Sequence, residues 1–240
     1  MEYFTNRSGL QLTYSISIKY PNVQRIYIIC PMWPTEIFFL SEFIYENLDA
    51  NVFKFYLTGT GSSQGENTYA GNLRDADDID DAVKFLIERG YSVEGIIGNA
   101  KFGTSAIIYS AIYGDVKTII SLSPKYDFSL LPPFIKDNYE SIRINGEIIH
   151  TALGKEWKCT WNMIQEMMSL DMKYYCHKAK GSIYIIQGDQ DQICPFADSI
   201  EFERELKEKC RGRFVLNCDE FFIGVFDEVV EIIEKIIYEN

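Results

Sequence analysis

The chain has 240 residues, of which 47% are hydrophobic and 24% charged, enough for one large α/β core and unlike the composition of a disordered chain. Its formal net charge of −12 argues against nucleic-acid and anionic-membrane partners, both of which would repel it at long range. No apolar run reaches the roughly 18 residues of a spanning helix, and the opening Met1 to Arg7 lacks a basic stretch followed by a long apolar one, so no membrane association and a cytoplasmic location are expected.

Leu10 to Lys19 alternates Leu10, Leu12, Tyr14, Ile16 and Ile18 with more polar neighbours, the period of a strand with one wet face. Arg25 to Cys30 is apolar without alternation, as in a central strand covered on both faces. Pro31, Met32, Trp33 and Pro34 stop it, and apolar residues from Ile37 to Leu48 recur at helical spacing. Val52 to Leu57 reads as the next strand. The glycine and serine loop that follows, Thr58 to Gly65, matches neither phosphate-binding glycine motif and has no lysine after it. It is expected to be a tight connection.

Asn72 to Arg89 is the best helix of the chain, with Ala76, Ile79, Ala82, Val83, Leu86 and Ile87 in one stripe and Gly90 as its stop. Asp75, Asp77, Asp78, Asp80 and Asp81 crowd its first turns. Carboxylates favour a helix N-terminus, and no oxygen-rich loop accompanies them, so this cluster is expected to be a solvated face and not a metal site. Val93 to Ile97 is a short buried strand, and Thr104 to Tyr113 a buried helix. Between them stands Gly98-Asn99-Ala100-Lys101-Phe102-Gly103, a tight glycine-bounded turn from strand to helix.

Val116 to Leu122 gives a further central strand. Residues 130–179 contain two consecutive prolines, Pro132 and Pro133, and helix-like pieces carrying Trp157, Trp161, Met163, Met167, Met168 and Met172. They are expected to be a small helical cap inserted over the strand ends, within a single domain of residues 1–240. Ser182 to Gln187 is a strand, Pro195 to Cys210 a helix, Arg213 to Asn217 a strand, and Gly224 to Tyr238 an amphipathic helix. Strands alternating with crossover helices specify an α/β protein with a mostly parallel sheet and helices on both faces. The six cysteines show no C-x-x-C spacing and the two histidines no ligand repeat, so free thiols, no metal and no cofactor are expected.

Five segments resemble the α/β-hydrolase superfamily, and more narrowly its small eukaryotic esterase-like members, whose elbow commonly reads G-H-S-K-G-G. They are the elbow at 98–103, the loop at 57–63, Asn72 to Asp78 with Ser121 to Asp127, and Gly188 to Pro195. In that family a G-x-S-x-G turn lifts a serine above the sheet. The resemblance puts the family's acid on Asp191, which is present. It puts the nucleophile on Ala100 and the histidine on Glu220. The oxyanion loop falls on Pro31, Met32 and Trp33, and the positions after the nucleophile on Lys101 and Phe102.

An alanine methyl cannot attack a carbonyl. In this fold the base follows the acid along the chain, yet His150 and His177 both precede Asp191. The resemblance therefore implies a non-catalytic pseudoenzyme that binds a small ligand or a protein. The alternative is an active esterase with another nucleophile, for which Thr104, Ser105 and Cys194 are the nearest reactive types. Phe102 is expected to narrow the space beside Ala100. Glu220 is expected to share a site with Asp191, either protonated or paired with Lys101, because two adjacent carboxylates do not both ionise readily.

Overall fold

A computed structural model describes residues 2–31, 39–152 and 155–239. Ten strands are present among them: β1 (Glu2–Thr5), β2 (Gln11–Ser17), β3 (Arg25–Cys30), β4 (Val52–Phe55), β5 (Ser92–Asn99), β6 (Thr118–Leu122), β7 (Glu147–Ala152), β8 (Lys155–Thr160), β9 (Ser182–Gly188) and β10 (Cys210–Leu216). Eight of these form one sheet in the order β1-β2-β4-β3-β5-β6-β9-β10. From β4 across to β10 all neighbours are parallel, and β2 and β1 complete the other edge in antiparallel pairing.

The strands connect through α1 (Leu40–Asn47), α2 (Asn72–Ile87), α3 (Lys101–Ile112), α8 (Phe196–Leu206) and, at the end, α9 (Phe226–Glu239). Side chains alternate between the faces, as the two-residue period of a strand requires. Ile26, Ile28, Ile96, Ile119, Ile183 and Ile185 pack with α2, α3 and α8, whereas Ile29, Ile97, Ile120 and Ile186 pack with α1 and α9. α9 buries Val229, Val230, Ile233, Ile236 and Ile237, each worth about 1.5–3 kcal/mol when removed from water. α3 is enclosed along its length, from Phe102 to Ser110, so it carries no polar stripe.

Between β6 and β9 lie α4 (Pro133–Asp137), α5 (Tyr139–Asn145), the antiparallel hairpin β7–β8, α6 (Trp161–Met168) and α7 (Met172–Lys178). The hairpin was not foreseen from periodicity. Ile135, Ile142, Met163, Ile164, Met167 and Met172 are buried in the same core cluster as α2 and α3, so these methionines act as packing. Phe134 stacks on His150 with ring centroids 4.0 Å apart and meets Tyr69 at 5.0 Å.

The solvated acidic face expected on α2 is corrected by the structure. Asp75, Asp78 and Asp80 are buried. Asp78 accepts from Asn6 Nδ2 at 2.7 Å and from the Thr58 N–H at 2.8 Å, and Asp80 pairs with Arg7 and with Lys84. Burial is tolerated because each carboxylate meets donors brought from distant parts of the chain.

Candidate active-site elbow

β5 ends at Asn99 and α3 starts at Lys101, so one residue makes the turn. That residue, Ala100, has φ 50° and ψ −121°, a conformation that a side chain disfavours. Its N–H donates to the Leu122 carbonyl at 2.8 Å, and its carbonyl accepts from the Thr104 N–H at 3.1 Å. The closeness of the turn demands two glycines. A Cβ on Gly98 would stand 2.5 Å from the Phe102 carbonyl oxygen, and one on Gly103 would stand 2.4 Å from Ser121 Oγ.

Lys101 does not reach Glu220, and that expected pairing is corrected. Its Nζ lies 2.7 Å from Asp75 Oδ2 and donates to the Thr68 carbonyl at 3.0 Å. Burial lowers the Lys101 pKa, with Asp75 opposing the shift. Asn72 Nδ2 donates to Ser105 Oγ at 3.0 Å and to the Lys101 carbonyl at 3.3 Å. Ser105 Oγ in turn donates to the Lys101 carbonyl at 3.0 Å. The first turns of α2 and α3 are thus joined by a closed polar network around a buried ion pair. Sequence reasoning quoted Asn72, Asp75 and Lys101 as separate matches and missed their connection, since no local spacing links positions 72 and 101.

Phe102 is 1% exposed and belongs to the core cluster beneath α2 and α3. Pro31 is buried directly after β3. Met32 and Trp33 lie outside the described residues.

Asp191 sits in the connection after β9 and is 6% exposed. Its Oδ1 accepts the backbone N–H groups of Cys194 at 2.7 Å and Ile193 at 2.8 Å, and Gln187 Nε2 approaches Oδ2 at 3.4 Å. Burial pushes its pKa up to about 6, against the lowering effect of those N–H groups, and the charge of Glu220 adds to the rise. Glu220 stands in the loop after β10 and is half-buried. The two acidic positions named from the sequence are therefore close enough for the charge of Glu220 to be felt at Asp191.

The histidines lie elsewhere in the fold. His150 is on β7 against Phe134, and His177 Nε2 lies 2.8 Å from Glu205 Oε2, between α7 and α8. The alternative nucleophiles are enclosed. Ser105 is 0% exposed within the Asn72–Lys101 network, and Thr104 Oγ1 donates to the Lys125 carbonyl at 3.0 Å. Cys194 is buried, which raises its thiol pKa well above the ordinary value and disfavours the thiolate. Among the described residues no His, Cys, Asp and Glu cluster could hold a metal, all six cysteines are free, and no helix is long and apolar enough to cross a membrane. A cavity of about 80 Å³ lies between Gly71 at the start of α2 and Glu166 on α6, and one of about 250 Å³ lies beside Arg25 and Tyr238; neither is lined by Ala100, Asp191 or Glu220.

No family model matches the chain, and no curated protein matches it in sequence. Solved structures do match. A ferulic-acid-bound structure of Est1E from Butyrivibrio proteoclasticus aligns over 100% of this chain and 98% of its own, with a TM-score of 0.72 and 16% identity. An esterase from Pyrococcus furiosus aligns over 99% and 89%, with a TM-score of 0.69 and 17% identity. The alpha/beta hydrolase domain-containing protein 10 from mouse aligns over 99% and 98%, with a TM-score of 0.71 and 13% identity. The chain has the α/β-hydrolase fold. Identities this low carry the fold and leave the chemistry to the site.

Proposed function

We propose that this chain is a non-catalytic member of the α/β-hydrolase fold that works by binding, its ligand a small molecule or a protein. The observation that carries the reading is Ala100. The backbone of a nucleophile elbow is held there, between two glycines that admit no side chain, and the residue presented is a methyl group. Acyl transfer needs a nucleophile and a base to take its proton. The retained acid, Asp191, has Glu220 for a neighbour, and neither histidine follows it in the chain. A carboxylate beside a carboxyl orients no imidazole. The enclosure of Ser105, Thr104 and Cys194 disfavours the alternative of a displaced nucleophile.

The test is hydrolysis of short- and medium-chain aryl esters by the purified protein, beside the double variant Ala100→Ser with Glu220→His. The wild type is expected to be inert. Slow turnover gained by the double variant would show that the elbow and the Asp191 loop still stand in acyl-transfer register. Wild-type turnover that survives inhibitor controls and falls when Asp191 is replaced would overturn the proposal.

A further inference from the structure

Three connections meet at the carboxyl end of β6, β9 and β10, spanning 123–132, 189–195 and 217–225. Hydrogen bonds join the three. The Gln190 N–H donates to the Cys218 carbonyl at 3.0 Å, Gln190 Nε2 to Asn217 Oδ1 at 2.6 Å, and Lys125 Nζ to the Ile193 carbonyl at 3.4 Å.

The face has two properties at once. The acids at least partly exposed on it are Asp127, Asp189, Asp219 and Glu220, against a single base, Lys125, whose ammonium is turned onto the Ile193 carbonyl. Three large aliphatic side chains also stand out of it: Leu130 is 52% exposed, Ile193 53% and Ile223 70%. Scattered exposed aliphatics are ordinary on a protein surface, but one on each of three hydrogen-bonded loops, amid unbalanced acid, defines a mixed apolar and anionic patch.

We infer that this face docks a basic amphipathic segment of a partner protein, one in which lysine or arginine alternates with large apolar side chains. Charge complementarity selects the partner: the four acids at the surface steer a cationic chain and disfavour an anionic one, while Leu130, Ile193 and Ile223 offer apolar contacts that a purely cationic polymer cannot use. The inference deepens the binding role proposed for the scaffold, because the same face carries Asp191 and Glu220.

A fluorescein-labelled peptide of leucine and lysine at helical spacing, titrated with the full chain and read by fluorescence anisotropy, tests this. Saturable binding is expected, weakening about tenfold or more as salt rises toward molar concentration. The variants Ile193→Ser with Ile223→Ser, and Asp189→Lys with Glu220→Lys, should each weaken it about tenfold or more. Ile87→Ser with Ile112→Ser, exposed on α2 and α3, should leave it unchanged. Circular dichroism melts identify any variant that fails to fold, and the second face variant then stands for the first. The inference is overturned if the wild type does not bind, if lysine and serine peptide binds equally well, or if the far-face variant weakens binding as much as the face variants. Preference for phosphatidylcholine vesicles over the peptide would also overturn it. Ester turnover by the wild type would remove the non-catalytic reading without touching this result, and absent peptide binding would leave that reading standing.

Discussion

The elbow and the acid loop lie at the same end of the sheet, and they handle polar groups in opposite ways. Around the elbow the side chains of the first helical turns are partnered internally: Lys101 with Asp75, and Ser105 with Asn72 and the Lys101 carbonyl. Around the acid loop the charges are gathered and unbalanced, with Asp191 feeling Glu220. The elbow side has become structure. The loop side still holds a carboxyl that its surroundings do not favour as an anion, a state associated with sites more than with frameworks.

The sharpest way to break this contrast is at the buried pair. Asp75 is 1% exposed at its side chain and Lys101 19%, and removing one partner strands the other charge. Asp75→Asn, or Lys101→Met, is expected to lower unfolding stability by about 3 kcal/mol. Asp75→Leu combined with Lys101→Met should recover part of that loss, with a coupling of roughly 2 kcal/mol. Urea unfolding of the three variants checks it. Additive losses would mean that the pair is not the internal support described here.

The acid loop predicts a pH dependence. Asp191 has a folded pKa of about 6 against an unfolded value of about 3.9, so between these values the folded state holds a proton that the unfolded state has released. Its contribution to stability is then greatest below pH ~4 and declines as pH rises to ~6, by of order 2 kcal/mol. Asp191→Asn removes this titration. The stability of the wild type relative to the variant should therefore fall across that window and stay flat above it, measured by urea midpoints at a series of pH values. A wild-type advantage that grows with pH would mean that the N–H groups of Ile193 and Cys194 outweigh burial.

The sheet was legible because buried parallel strands are written as apolar runs. Arg25 to Cys30 was bounded correctly by its flanking polar residues and Pro31, and the glycines at 98 and 103 marked the elbow. What was not legible depends on partners far along the chain. Glu2 to Thr5 pairs with Gln11 to Tyr14 at the sheet edge, and too few of its positions are buried to give a period. The β7–β8 hairpin mixes charged and apolar positions, and each of its strands is specified by the other. The aspartates of α2 read as a wet face because Asn6 with Arg7, Thr58 and Lys101, which cover them, approach from three separate segments.

The smallest expected effect tests whether the elbow is still under strain. With φ at 50° Ala100 holds a backbone conformation that costs about 1–3 kcal/mol for a residue with a side chain. Glycine relieves that strain and adds unfolded-state entropy worth roughly 0.4–1 kcal/mol in the other direction. Ala100→Gly should therefore raise unfolding stability by about 1 kcal/mol, near the middle of the difference between these two effects. Ala100→Ser should leave stability nearly unchanged, because the strain is of the backbone and serine meets it as alanine does. If Ala100→Gly destabilises, the turn is relaxed, and the geometry is no remnant of a strained nucleophile position. If it stabilises while Ala100→Ser is neutral, the fold still maintains, against its own stability, the one backbone conformation that a nucleophile would need, although the residue standing there has nothing to present.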